Sequence, residues 1–174
     1  MLLILVVETN DEQGSDRLYI EDYIKHFYNI AGIKLKFIPM CGKGNYRSTK
    51  VLNKINKFIN EYKKINPNAP LYKVIYFIDL DNPHINAEQY KLNEKISLFT
   101  KEMDYELVYF NKNIENVFLK RDVESNQKQK EAVRFVSRKH ILNFDNSKCS
   151  IKIPGTWSSS NIDLILSKYL NKTD

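Results

Sequence analysis

Apolar residues run without interruption from Leu2 to Val7 and stop at Glu8. An aliphatic run of this length is the pattern of a strand buried on both faces of a parallel sheet. The polar stretch 9–15, with Gly14, reads as a loop, and residues 16–29 then place Leu18, Tyr19, Tyr23, Ile24 and Phe27 at helical spacing. A second strand is predicted over 34–40, followed by a glycine-bearing turn through Cys41, Gly42, Lys43, Gly44 and Asn45. Behind Ser48, a suitable N-cap, Val51, Leu52, Ile55, Phe58, Ile59 and Tyr62 recur every three or four positions and mark the clearest helix in the chain. Residues 66–70, with two prolines, break it, and the apolar run 74–78 predicts a third strand ending in Asp79, Leu80 and Asp81. Past the turn at Asn82 and Pro83, a third helix is expected through Ala87, Tyr90, Ile96, Phe99 and Met103, then a fourth strand over 106–110. Further helices are expected at 114–119, 126–140 and 156–170.

Alternating strands and helices predict an α/β fold, Rossmann-like, with a mostly parallel sheet of about four strands and helices on both faces. A chain of 174 residues without repeats, linkers or low-complexity tracts is read as one domain, with a core over 1–119 and a helical C-terminal extension over 120–174. In such sheets ligands sit at the carboxyl ends of the strands.

Three of those ends carry chemistry. Glu8, the segment 42–45, and Asp79 with Asp81 are all expected along one edge of the sheet. Carboxylates gathered there repel one another, which raises the pKa of at least one or demands a cation. Oxygen ligands of this kind suit Mg²⁺ or Mn²⁺. In a continuous strand Asp79 and Asp81 would face one side and reach one ion; Asp81, Asn82 and Pro83 are equally good turn formers. Lys43 and Arg47 follow the glycine turn, where backbone N–H groups favour phosphate, and read equally as solvated loop charges; Lys112 follows the fourth strand and is a further candidate for backbone contact. The series Lys128, Lys130, Arg134, Arg138 and Lys139 reads either as a surface for a nucleic-acid backbone or as a solvated helix face. His26 is expected to be structural, His84 to follow the acidic turn either as a plain loop residue or as a contact to phosphate, and His140 to sit at a helix C-terminus. Trp157 is expected to cap the core, with stacking on a base as the alternative.

The formal net charge of +6 makes a polyanion such as nucleic acid a plausible partner, although a chain rich in Lys and Asn also reads as compositional bias. No window has the roughly 18 apolar residues of a membrane span, and the N-terminal run lacks a signal peptide's basic leader. A cytoplasmic location without membrane contact is therefore expected, with Cys41 and Cys149 as free thiols rather than a disulfide or a zinc site.

The order of these motifs resembles the Toprim fold, in particular the Toprim-like domains of the OLD and RloB phage-defence nucleases. The likeness rests on Leu5-Val6-Val7-Glu8, Gly42-Lys43-Gly44-Asn45, Asp79-Leu80-Asp81, and the segment from Phe110 through Glu115 to Leu119, in which an acid opens an apolar helix. Thr9 follows Glu8 where those families have Gly, which leaves Asp11, Glu12 and Asp16 as alternative acids on the same loop. The resemblance implies Mg²⁺-dependent cleavage of DNA or RNA phosphodiesters. Asp79, Asp81 and Glu115 would be metal ligands, and Glu8 a general acid/base or a further ligand. It also implies a role in antiphage defence and allows a partner ATPase or a homo-oligomer. A non-catalytic Toprim-like module for nucleic-acid binding or assembly is the competing expectation, and an aspartyl-phosphate receiver is a third.

Overall fold

The computed structural model describes residues 1–10, 14–68, 71–81, 86–153 and 158–173. Every residue of β1 (Leu2–Val7) is buried, because the strand has a neighbour on each side and helices on each face. It pairs with β2 (Lys34–Pro39) and β3 (Tyr72–Asp79), and β3 pairs with β4 (Glu106–Phe110). All three pairings are parallel, in the order β2-β1-β3-β4. Register sets Val7 opposite Pro39 and Asp79 opposite Phe110. The Pro in β2 is tolerated because that strand lies at the edge of the sheet.

The chain steps outward from β1 to β2, then back across β1 to β3 and on to β4. Right-handed crossovers therefore put α1 (Ser15–Phe27) on one face, and α2 (Thr49–Ile65) and α3 (Ala87–Glu102) on the other. Side chains follow the period of two. Leu3, Leu5 and Val7 pack with Tyr19, Ile20 and Tyr23 of α1, whereas Leu2, Ile4 and Val6 pack with Val51, Ile55 and Ile96. Ser48 caps α2 by accepting from the Val51 N–H at 3.4 Å. The α/β architecture is thus as the patterning implied, and the free Cys41 and Cys149 are as expected.

The C-terminal third departs from the reading. In place of one helix over 126–140, a 3-10 turn (Ser125–Gln127) leads into α5 (Lys128–Ser137), and a second such turn follows (His140–Asn143). The helix expected over 156–170 shrinks to α6 (Ile162–Leu166); residues 154–157, Trp157 among them, lie outside the described residues. Together with α4 (Ile114–Leu119), α5 and α6 complete the layer over α1, where Phe118 stacks on Phe144 at 4.9 Å and on Tyr19 at 5.1 Å.

Instead of coiling, the segment before α6 closes the outer edge of β4. Ser160 forms an antiparallel bridge with Phe110, and its hydroxyl donates to the Tyr109 carbonyl at 2.6 Å. The Asn161 amide acts as a short piece of strand: its oxygen accepts from the Tyr109 N–H and its nitrogen donates to the Leu107 carbonyl, each at 2.9 Å. An unpaired strand edge would otherwise invite pairing with another chain. Just beyond, Asp163 accepts from the Tyr28 hydroxyl at 2.6 Å, from Ser150 at 2.8 Å and from Lys172 at 2.9 Å. Burial opposes its ionisation, but these donors outweigh it and hold the carboxyl below its usual pKa. Replacing Asn161 with Ala leaves two backbone groups of β4 unpaired, and urea unfolding is expected to show a loss of about 1–3 kcal/mol.

Candidate functional site: an acid cluster at the switch point

β1 and β3 are adjacent, but the chain leaves their carboxyl ends for opposite faces of the sheet, which opens a crevice there. Glu8 stands at the end of β1 and Asp79 at the end of β3. The Glu8 carboxylate accepts from the Asp79 N–H at 3.2 Å and from the N–H of Lys43, while its own carbonyl accepts from Gly42 at 3.0 Å. Glu8 thereby ties both strand ends to the glycine turn. Gly42 adopts φ +93°, open to glycine and strained for other residues.

Two helices bring further acids. Asp16 lies in the first turn of α1 and Glu115 in the first turn of α4, where the positive end of a helix favours negative charge. Asp79 Oδ1 accepts from the Ile114 N–H at 2.9 Å, which fixes α4 beside β3. Glu8, Asp16 and Asp79 border a cleft of about 510 Å³ together with Lys128, the first residue of α5. Glu115 is fully buried. The Lys128 ammonium stands 3.1 Å from its Oε2 and forms an ion pair with it.

The titration of the cluster reflects this crowding. Burial, then the charges of Asp16, Glu8 and Glu115, push the Asp79 carboxyl well above its ordinary range. Burial and the Glu115 charge push Asp16 up to about 7 against the pull of Lys128. Burial also raises Glu8, though the charge of Lys43 and the backbone donors partly oppose it. For Lys128 burial works to lower the pKa, but Glu115, Asp79 and Asp16 prevail and keep it raised. The repulsion expected from the sequence is present, and an ammonium answers part of it.

Other candidate residues are engaged differently. β3 ends at Asp79, and Asp81 turns into the left-handed region at φ +53°, so the two acids do not share a continuous strand. Asp81 instead pairs with Lys43, whose ammonium lies 2.7 Å from Asp81 Oδ2 and 2.6 Å from the Asp79 carbonyl. Lys43 is only 4% exposed, so it is an internal strut rather than a solvated loop charge. Gly44 and Asn45 are exposed, the Asn45 amide donating to the Cys41 carbonyl at 2.7 Å; Arg47 lies over the Tyr46 ring at 5.6 Å. Lys112 pairs with Asp122. His26 packs edge-on against Phe27 and His140 is exposed beside Phe135, while Asp11, Glu12 and His84 lie outside the described residues. Lys128 was legible only as one member of a basic series; its place among the acids follows from the packing of α5 on α1, which sequence spacing alone does not reveal.

Thr9 and Gly14 account for the unusual loop. A Cβ on Gly14 would lie 2.4 Å from the Thr9 Cβ, so the start of α1 crosses directly over the end of β1, and this contact carries Asp16 to Glu8. Among the described residues no three His, Cys, Asp or Glu side chains are arranged to hold a metal ion as they stand. The donor set is nevertheless of the oxygen kind a hard cation takes: four carboxylates are gathered, close enough that Asp16, Glu8 and Glu115 raise the pKa of Asp79, and Lys128 is the ammonium that faces Glu115. No family model matches the sequence, and no curated protein or solved structure shows significant similarity to the chain.

Gly14→Ala is expected to cost about 1–3 kcal/mol by overpacking in thermal or urea unfolding, and Thr9→Gly in the same chain to recover much of it. The raised carboxyls also set a pH dependence. In EDTA they keep protons in the folded state that the unfolded chain has already released. Their stabilising contribution is complete below about pH 4 and is lost as pH rises through the folded values, near 7 for Asp16. Melting in EDTA is expected at least about 3 °C lower at pH 8 than at pH 5, the change that ~1 kcal/mol makes in a chain of this size. Asp16→Asn should flatten that difference.

Proposed function

We propose that the chain is a Mg²⁺-dependent nuclease of the Toprim-like kind that hydrolyses nucleic-acid phosphodiesters. The observation that carries this reading is Glu115, a fully buried acid faced by the single ammonium of Lys128, among three further acids at the switch point of a parallel sheet. One ammonium, that of Lys128, faces Glu115, and four carboxylates gathered this closely carry charge that a metal ion would balance. Asp79 and Glu115, with Asp16 beside them, would hold the ion, which when bound would supply charge for activating water and stabilising a leaving oxygen. Glu8, with a raised pKa and a place at the lip of the cleft, is suited to take and return a proton. Asp81 serves the site through Lys43, which it holds against the end of β3. A place in antiphage defence, a cytoplasmic setting and a partner ATPase belong to the same proposal through the resemblance to OLD and RloB domains. No described helix is long and apolar enough to cross a membrane.

One observation favours a second reading. Lys128 already supplies a cation to the acids, as a non-catalytic nucleic-acid-binding or assembly module on the same scaffold would require. Calorimetric titration of Mn²⁺, with plasmid and tRNA cleavage on the same samples, separates the two. The nuclease reading expects Asp79→Asn and Glu115→Gln each to abolish metal binding and to lower cleavage about 100-fold or more, roughly 2.7 kcal/mol of transition-state stabilisation. Salt-sensitive nucleic-acid binding that persists in EDTA, without cleavage under Mg²⁺ or Mn²⁺, would establish the second reading instead.

A further inference from the structure

The chain's positive charge is unevenly placed. Residues 120–174 hold eleven Lys and Arg against six Asp and Glu, which is five of the six net charges of the whole sequence. Several converge on a groove of about 430 Å³ between the C-terminal ends of α4 and α5 and the turn that follows them. Lys120, Arg121, Arg134, Arg138 and His140 line it, over a floor that includes Phe118 and Phe135. Glu131 holds two of the guanidinium groups in place, Arg134 at 2.6 Å and Arg121 at 2.5 Å. A guanidinium has five donors in a fixed fork, so one contact each leaves both with donors for an oxyanion. Lys120 and Arg138 are exposed and neither forms a salt bridge among the described residues; Asp145, also on the groove, feels the charge of Lys120 without contacting it as an ion pair.

The same two helices carry the acid cluster at their other ends, with Glu115 opening α4 and Lys128 opening α5. Ten residues of helix separate Lys128 from Arg138, a span of about 15 Å. That is about four nucleotides at the ~3.4 Å rise of one strand stacked as in a duplex.

We propose that this groove is a second anchoring site for the nucleic-acid substrate, gripping backbone phosphates about four nucleotides from the bond presented to the acid cluster. The inference rests on the nuclease reading for its substrate class. It assigns the basic series of α5 two separate tasks: Lys128 belongs to the cleft, and Arg134 and Arg138 to the groove.

The test is fluorescence-anisotropy binding of 20-nucleotide DNA and RNA strands in EDTA between 50 and 200 mM salt, with wild type and Lys120→Gln/Arg138→Gln. Both substituted residues are exposed, and Arg138→Gln alone serves as a milder variant should the pair disturb folding. Loss of two phosphate contacts from a single strand is expected to reduce the slope of log K against log salt by about 1.4. Affinity at 100 mM salt should fall about tenfold, with Mn²⁺ binding unchanged by calorimetry. A loss confined to DNA or to RNA supports the anchor and identifies the strand. Unaltered affinity and slope in the double variant, or no wild-type binding to either strand at 50 mM salt, overturns it. Failure of the nuclease reading is told apart by wild-type metal titration and cleavage on the same preparations.

Discussion

Three carboxylates on one cleft, with a fourth buried behind them, constrain everything near them. Each acid arrives on a different element, Glu8 from β1, Asp16 from α1, Asp79 from β3 and Glu115 from α4, so their mutual repulsion acts directly against the packing of those elements. The fold resists it with several devices: two helix N-termini directed at the acids, backbone donors to Glu8 and Asp79, retained protons, and the ammonium of Lys128. After all of these, burial and mutual repulsion still leave Glu8, Asp16 and Asp79 with raised pKa values, so the crowding is relieved only in part.

Much of this was readable from one dimension. Uninterrupted aliphatic runs fixed β1 and β3, because strands with helices on both faces have no polar side to display, and helical periodicity behind Ser48 located α2. Glu8 and Asp79 could be placed for the same reason: in a parallel sheet the carboxyl ends share one edge. Asp81 misled, because a spacing of two faces one side only while the strand continues, and here the backbone turns left-handed after Leu80. Asp16 surfaced only as one of several loop acids, since the contact of Gly14 with Thr9 that selects it is a matter of tertiary approach.

The region after Leu119 was harder for a physical reason. Its segments are short, and their conformations are set by what they cover: Ser160 and Asn161 are extended because β4 has an open edge to satisfy, which periodicity does not encode. Lys128 and Arg138 look alike in sequence. They differ because the packing of α5 sinks one end beside Glu115 and leaves the other at a surface groove.

The clasp around Asp163 carries a consequence for biogenesis. Its partner Tyr28 lies 135 residues earlier in the chain. At a synthesis rate of ~5–20 residues per second, Tyr28 waits roughly 7 to 27 s for that partner to be made. The rim of β4 waits a shorter time, because Ser160 follows Tyr109 by 51 residues; in that later interval all four strands exist but the segment that closes their open edge does not, so the nascent chain is most exposed to misassociation when its sheet is already complete.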